Sequence, residues 1–115
     1  MRVLIVEDEA LVALDLADMV RDLGHSVVGP FATVQASLPD CRDGSPDFAI
    51  LDFNLGRGTS AELAELLAET GVPFAFLTGY RRDALPERFR DRLVLSKPCS
   101  AQALRQAIGA AESAS

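Results

Sequence analysis

Five residues that can do chemistry lie at, or just beyond, the ends of short apolar runs in this sequence. They are Glu7, Asp8, Asp52, Thr78 and Lys97. Carboxylate oxygens bind hard divalent cations, and a carboxylate held beside such a cation can attack a phosphoryl group as a nucleophile. A hydroxyl and a lysine can hold the phosphoryl oxygens and offset their negative charge. The set therefore indicates phosphoryl-transfer chemistry, provided that the fold brings these distant residues together.

The apolar runs themselves predict five β-strands. They cover residues 3–6, 26–29, 48–53, 74–77 and 93–95. Most of these runs are continuously apolar rather than alternating, which is typical of strands buried on both faces of a parallel sheet. The chemically capable residues thus stand at or near the carboxyl ends of predicted strands.

Helix-periodic segments separate the predicted strands. The predicted helices cover residues 10–23, 34–41, 61–69, 81–92 and 101–111. Gly24 is expected to stop the first helix. Thr59 with Glu62 forms a capping-box pattern before the third helix, and Ser100 can cap the last one. The fourth is the weakest because it contains Pro86 and few apolar residues, so we expect a short or mobile helix there.

The alternation of strands and helices predicts an α/β fold with a doubly wound, five-stranded parallel sheet. In such a sheet the carboxyl ends of the strands share one edge, where ligands bind. The five chemically capable residues are therefore expected to converge there. No linker or repeat divides the chain, so we expect one domain over residues 1–112, followed by a frayed tail at 113–115.

Composition and charge exclude several classes of function. The chain has 115 residues, of which 49% are hydrophobic, so it can bury a core. The formal net charge of −6 argues against a nucleic-acid surface, and no apolar run is long enough to span a membrane. The first predicted strand begins almost at Met1, which leaves no room for a signal peptide, and two cysteines do not indicate a disulfide framework. We therefore expect a cytoplasmic protein.

Each candidate residue also has a purely structural interpretation. Asp8 could simply cap the first helix. Asp52 could open a turn with Asn54, and Lys97 could be a solvated surface lysine. None of these interpretations explains why four strand ends carry such residues. The adjacent carboxylates of Glu7 and Asp8 repel each other unless a cation lies between them, which favours a Mg²⁺ site.

With these residues in this order and at this spacing, the chain resembles the receiver domains of two-component response regulators. The resemblance covers nearly the whole chain. It implies a strand order of 2-1-3-4-5 with five helices, and a phosphoryl group passed to Asp52 from a phosphohistidine. It further implies Mg²⁺ held by Asp8 and Asp52, with Glu7 contributing through water. The backbone carbonyl of Asn54 would complete the protein ligands.

The resemblance also implies partners. The phosphoryl donor would be a sensor histidine kinase or a histidine phosphotransfer protein, and an unknown downstream protein would bind according to the phosphorylation state. Neither nucleic acid nor a membrane is expected as a direct partner, and the chain is expected to be a monomer or a weak homodimer. Such a protein is not an enzyme, apart from its own phosphotransfer and autodephosphorylation.

The chain departs from the usual receiver pattern at several positions, and the departure at Val94 affects signal transmission rather than phosphorylation. Residues 74–80 have a Phe-x-x-x-Thr-Gly-Tyr form, which resembles that of variant receivers, with Gly79 in place of the usual alanine. Val94 stands three positions before Lys97, where receivers usually carry an aromatic switch residue. We therefore hypothesise that Tyr80 takes part in the switch, and that the weak segment after it becomes ordered on phosphorylation.

Two other functions remain open from the residues alone. A phosphohydrolase of the haloacid-dehalogenase kind also uses a strand-end Asp, a strand-end Thr and a later Lys. Such an enzyme needs a second Asp where this chain has Asn54. It also needs a later acidic pair and a lid, and the sequence shows neither. A pseudo-receiver would bind partners without phosphorylation, and the complete acidic set argues against it. The favoured prediction is a stand-alone receiver that controls partner binding or drains phosphoryl groups from a shared kinase.

Overall fold

The computed structural model describes residues 1–41, 45–56, 58–79, 85–89 and 91–114. Its strands are β1 (Arg2–Val6), β2 (Ser26–Phe31), β3 (Phe48–Asp52), β4 (Phe74–Thr78) and β5 (Leu93–Ser96). All neighbours pair in parallel, in the order β2-β1-β3-β4-β5, which confirms the predicted doubly wound sheet. Every strand boundary lies within two residues of its predicted position.

The helices within the described residues are α1 (Ala10–Asp22), α2 (Val34–Ser37), α3 (Ala61–Glu69) and α4 (Ala101–Ala114). Helix α4 extends three residues beyond its predicted end, and α2 gives way to a 3-10 turn at Leu38–Asp40, which contains Pro39. None of these described helices has both the length and the apolar character that a membrane crossing requires.

The prediction of five α-helices is wrong for the described part of the chain, which contains four. Between β4 and β5 the described residues form a single 3-10 turn, Glu87–Phe89, while 80–84 and 90 lie outside the described residues. This turn follows Pro86, which has no N–H to donate to a preceding carbonyl. A continuous α-helix over the segment is therefore unfavourable at that point.

Hydrophobic layers cover both faces of the sheet. Alternate residues of β1 divide between them, because successive side chains of a strand point to opposite faces. Val3 and Ile5 pack in the layer formed with α1 and α4, whereas Leu4 and Val6 pack in the layer formed with α2 and α3. All residues of β3 and β4 are buried, as continuous apolarity predicts for central parallel strands.

The end of α1 and the start of α4 lie within one residue of where the sequence predicts them. Gly24 adopts a left-handed φ of 90° just beyond α1, a conformation that glycine tolerates without strain. At the start of α4, the backbone N–H of Ala103 donates a 3.0 Å hydrogen bond to the Ser100 hydroxyl. Both predicted boundary signals are therefore confirmed.

The capping box predicted for α3 is not formed. Ser60, rather than Thr59, occupies the N-cap position, and its side chain makes no capping hydrogen bond. The backbone N–H of Ser60 instead donates to the carbonyl of Phe53 at 3.0 Å. This bond ties the start of α3 to the loop that follows β3, while the helix itself begins at Ala61, as predicted.

Phe76 lies fully buried in the layer covered by α2 and α3 and contacts three other aromatic rings. Its ring centroid lies 5.6 Å from that of Phe53, 5.5 Å from that of Phe74 and 5.2 Å from that of Phe89. Val94, its partner in the register of β4 and β5, packs against the same layer. Phe76 thus joins the loop after β3 to the 3-10 turn before β5.

Candidate functional site

The carboxyl ends of four strands meet at one edge of the sheet. Asp52 is the last residue of β3, Thr78 is the last of β4, and Lys97 directly follows β5. Glu7 and Asp8 lie between the end of β1 and the start of α1. Glu7 and Lys97, which are 90 positions apart in the sequence, are in direct contact. The predicted convergence of these residues is therefore observed.

Lys97 lies among carboxylates rather than in bulk solvent. Its Nζ donates a 3.0 Å hydrogen bond to Oδ2 of Asp52 and lies 3.2 Å from Oε2 of Glu7. It also donates a 3.3 Å hydrogen bond to Oε1 of Glu9. Because the lysine side chain is only 20% exposed, water screens these contacts less than it would at an open surface.

The carboxylates of Glu7, Asp8 and Asp52 form a cluster suited to a metal ion. One oxygen from each lies within 4.8 Å of the others. Glu7 and Asp52 are buried while Asp8 is exposed, so a cation held there would have protein on one side and solvent on the other. Oε2 of Glu7 is buried without a hydrogen-bond partner among the described residues, since its contact with Lys97 lacks hydrogen-bond geometry. An all-oxygen donor set with an unsatisfied oxygen fits Mg²⁺ and its bound waters.

Burial and neighbouring charges perturb both central groups. Burial raises the pKa of Asp52, the hydrogen bond from Lys97 opposes the rise, and the charge of Glu7 adds to it, which brings the pKa of Asp52 to about 7. Burial acts to lower the pKa of Lys97, but its hydrogen bonds to Asp52 and Glu7 and their charges outweigh this, so that pKa is raised. The metal-free site therefore holds excess negative charge, which a divalent cation would offset.

Thr78 and Asn54 line a cavity beside the acidic cluster. The cavity measures about 370 Å³ and is lined by Phe53, Asn54, Gly56, Gly58, Thr59, Thr78 and Leu85. The buried Thr78 accepts a 3.1 Å hydrogen bond at its carbonyl from the backbone N–H of Lys97. The side-chain oxygen of the exposed Asn54 accepts a 3.1 Å hydrogen bond from the N–H of Gly56. A Cβ at Gly56, whose φ is 78°, would lie only 3.3 Å from Oδ2 of Asp8, so glycine keeps this loop close to the cluster.

The sequence also matches a known protein family. Residues 3–109 match the model of the response regulator receiver domain. The chain belongs to this family. Receivers are signalling domains of two-component systems; they typically bind Mg²⁺ and interact with histidine kinases or histidine phosphotransfer proteins.

Two known proteins are similar to this chain over most of its length. The transcriptional regulatory protein PdtaR of Mycobacterium tuberculosis is 36% identical over 111 residues, which are 93% of this chain and 54% of PdtaR. The receiver thus spans about half the length of that curated relative. The solution structure of SdrG from Sphingomonas melonis Fr1 has a TM-score of 0.84 at 43% identity, covering 96% of this chain and 95% of that one. The BeF3-activated conformation of SdrG, from Pseudomonas melonis Fr1, has a TM-score of 0.80 at 43% identity, covering 95% and 93%.

One contact residue of the receiver site was missed by the sequence analysis. Glu9 stands at the N-cap of α1, so Asp8 does not cap that helix. The available signal was the unbroken acidic run of Glu7, Asp8 and Glu9, but nothing local shows that the third carboxylate turns towards β5. Of the two switch candidates, Val94 packs against the core, and Tyr80 lies outside the described residues.

Asp52→Asn is expected to stabilise the metal-free receiver, and to do so more at pH 8 than at pH 5. The pKa of Asp52 is raised from its ordinary 3.8 to about 7, so the folded state binds a proton more tightly than the unfolded chain does. Stability therefore falls as the pH rises from about 4 to 7, and the charged carboxylate is most unfavourable above that range. We expect a gain on the order of 1 to 3 kcal/mol at pH 8, measured by urea unfolding in EDTA.

A matched control for this substitution is Asp15→Asn, which removes an exposed carboxylate from α1. We expect it to change the free energy of unfolding by less than about 0.5 kcal/mol at either pH. Equal stabilisation by Asp52→Asn at pH 5 and pH 8 would show that the buried charge is not the cause.

Proposed function

We propose that this receiver accepts a phosphoryl group on Asp52 from the phosphohistidine of a sensor histidine kinase or a histidine phosphotransfer protein. The observation that carries the proposal is the placement of the Asp52 carboxylate. It belongs to the three-carboxylate cluster and accepts a 3.0 Å hydrogen bond from Lys97. Phosphoryl transfer to a carboxylate needs a nucleophile that shares a cation site and lies beside a fixed positive charge.

Transfer begins with an ionised Asp52. One of its oxygens attacks the phosphorus atom, the bond from phosphorus to the donor imidazole nitrogen breaks, and that nitrogen keeps the electron pair. The products are an acyl phosphate on Asp52 and, when the other ring nitrogen carries a proton, a neutral imidazole on the donor. Lys97 supports the step because its hydrogen bond favours the ionised carboxylate and opposes the effect of burial.

The same neighbours would hold the new phosphoryl oxygens. Lys97 Nζ already lies 3.0 Å from Asp52 Oδ2, so a small movement lets it pair with an oxygen of the attached phosphoryl group. Thr78, at the end of the neighbouring strand, offers a hydroxyl from the rim of the adjacent cavity. These two residues would thereby stabilise the transferred group after the donor has left.

A bound Mg²⁺ would neutralise charge on the acceptor carboxylate and on the phosphoryl oxygens. Asp8 and Asp52 are the proposed direct carboxylate ligands, and Glu7 would contribute through a bound water. The backbone carbonyl of Asn54 is the further proposed ligand, since Asn54 lies in the loop directly beyond β3, two residues after Asp52. The unsatisfied oxygen of Glu7 and the compact carboxylate cluster support this assignment.

Phosphorylation would then control the binding of a downstream protein, or would drain phosphoryl groups from a shared kinase. Val94 replaces the usual aromatic switch residue, and its side chain packs against the core. We therefore assign the switch to the loop after β4, with Tyr80 as the proposed reporter. Autodephosphorylation would return the receiver to its starting state.

Incubation with acetyl phosphate and Mg²⁺, followed by intact mass spectrometry, tests the proposed function. The wild-type chain should gain the mass of one phosphoryl group, and chelation of the metal should prevent the gain. Asp8→Asn should reduce labelling strongly because it removes a proposed ligand, whereas Asp15→Asn, on the surface of α1, should label like the wild type.

Two outcomes would contradict the proposal. A wild-type chain that gains no mass, under conditions that label a known receiver, would be a pseudo-receiver that binds partners without phosphorylation. Continuous turnover of a generic phosphomonoester would instead indicate a phosphohydrolase. Neither outcome is expected.

A further inference from the structure

The three carboxylates that contact Lys97 differ sharply in exposure. The side chains of Glu7 and Asp52 are 0% and 4% exposed, whereas that of Glu9 is 63% exposed. Glu7 and Asp52 also belong to the metal-binding cluster, and Glu9 does not. Glu9 is thus the outermost of the three partners, and releasing Lys97 from it disturbs neither the core nor the metal cluster.

Hydrogen bonds hold both the N–H and the carbonyl of Glu9, whereas its carboxylate contacts Lys97. Its N–H donates a 2.9 Å hydrogen bond to Oε1 of Glu7, and its carbonyl accepts a 2.9 Å hydrogen bond from Ala13 in the first turn of α1. At the N-cap position, its side chain makes no capping hydrogen bond. It reaches instead to Lys97, at 3.3 Å.

The balance of charges around Lys97 indicates the role of its contact with Glu9. The site contains four carboxylates and one ammonium group, since Asp8 belongs to the cluster beside the three partners of Lys97, so even a divalent cation leaves the ionised site negative. An incoming phosphoryl group adds further negative charge. The phosphoryl group can therefore pair with Lys97 only in competition with a carboxylate, and the exposed one is the easiest to displace.

We propose that Glu9 is a positioning residue that holds Lys97 at the mouth of the site and competes with the phosphoryl group for its ammonium. This inference rests on the proposed function, because it concerns the affinity of the same site for a phosphoryl group. Glu9 would set how readily the receiver enters its phosphorylated form, and would draw Lys97 back when the phosphoryl group leaves. A neutral side chain at this position should favour the phosphoryl-bound form.

Titration with beryllofluoride, a phosphoryl mimic, tests this inference at saturating Mg²⁺. Amide NMR resonances of residues beside Asp52 report binding, and saturating metal removes any effect of the variant on Mg²⁺ affinity. Glu9→Gln preserves the size of the side chain and should bind beryllofluoride about fivefold more tightly than the wild type. Glu69→Gln, which removes an exposed charge at the far end of α3, should bind like the wild type.

Ionic strength separates competition for Lys97 from a merely structural role. An exposed ion pair is screened by salt, so the gain of Glu9→Gln should shrink towards none as salt approaches about 1 M. A structural effect would persist. Thermal unfolding of both variants would verify that each is folded.

The possible failures are distinguishable. A wild-type chain that binds no beryllofluoride would overturn the proposed function itself. A wild-type chain that binds it, together with a Glu9→Gln variant of equal or lower affinity, would overturn only the role of Glu9. A gain that is independent of salt would do the same.

Discussion

Replacement of Lys97 by methionine should lower the rate of phosphoryl transfer from acetyl phosphate to Asp52 by about 100-fold or more. Methionine has a similar length but supplies no positive charge. Asp52 would lose its 3.0 Å hydrogen bond, and the phosphoryl oxygens would lose the cation proposed to hold them. Burial and the charge of Glu7 would then raise the pKa of Asp52 unopposed, leaving less of the reactive carboxylate at neutral pH. The initial rate of labelling, followed by intact mass, measures the effect.

Lys97→Arg is the informative control because it keeps the positive charge and changes its shape. We expect arginine to retain more of the rate than methionine, but less than lysine, since a planar guanidinium does not reproduce the compact ammonium that lies among three carboxylates. Labelling of the methionine variant at the wild-type rate would show that the positive charge of Lys97 is not needed for phosphoryl transfer.

Replacement of Phe76 by alanine should reduce the free energy of unfolding by about 3 to 5 kcal/mol. Its ring is fully buried and lies within 5.6 Å of three other ring centroids, so truncation leaves a cavity that the neighbouring rings cannot fill. Domains of this size have total stabilities of roughly 5 to 15 kcal/mol. Phe76→Ala would therefore remove a large part of the free energy of unfolding. Urea unfolding with an unchanged m-value measures this loss.

Two further substitutions calibrate this measurement. Phe76→Leu keeps most of the apolar volume and should lose no more than about 2 kcal/mol. Leu11→Ala removes a side chain of the surface of α1 that is 80% exposed, and should change stability by less than about 0.5 kcal/mol. If Phe76→Ala costs no more than Leu11→Ala, the aromatic cluster is not the packed unit that the structure indicates.

The strands and the convergence of the site could be predicted because both depend on simple local signals. Continuous apolar runs mark buried parallel strands, and a parallel sheet places their carboxyl ends at one edge. Asp52 and Lys97 could therefore be placed together although 45 positions separate them in the sequence. Chain topology alone determines that proximity.

The role of Glu9 could not be predicted because it depends on contacts between distant parts of the chain. Its carboxylate meets a lysine 88 positions away, and an N-cap glutamate could equally have extended into solvent. The direction of that side chain follows from where β5 ends relative to α1. No periodicity or motif in the sequence encodes that distance.

One local signal, the capping pattern before α3, failed where another hydrogen bond competed with it. Thr59 and Glu62 have the spacing of a capping box, but Ser60 occupies the N-cap position of α3 and its N–H donates to the carbonyl of Phe53, although the helix begins at the predicted Ala61. Before β5, helix periodicity was weak, and Pro86 precedes a 3-10 turn rather than an α-helix. At α3 a hydrogen bond to the loop after β3 took the place of the capping pattern, whereas before β5 the local effect of Pro86 agrees with the weak helix that the sequence predicted.

Borohydride reduction after treatment with acetyl phosphate and Mg²⁺, followed by peptide mass spectrometry, tests most directly whether Asp52 is the phosphoacceptor. Borohydride converts an aspartyl phosphate to homoserine and leaves a free carboxylate unchanged, so it identifies the modified residue. We predict homoserine at position 52 alone, and only when Mg²⁺ is present. Homoserine at another position, such as that of Asp8, or none at all under conditions that convert a known receiver, would contradict the assignment of Asp52.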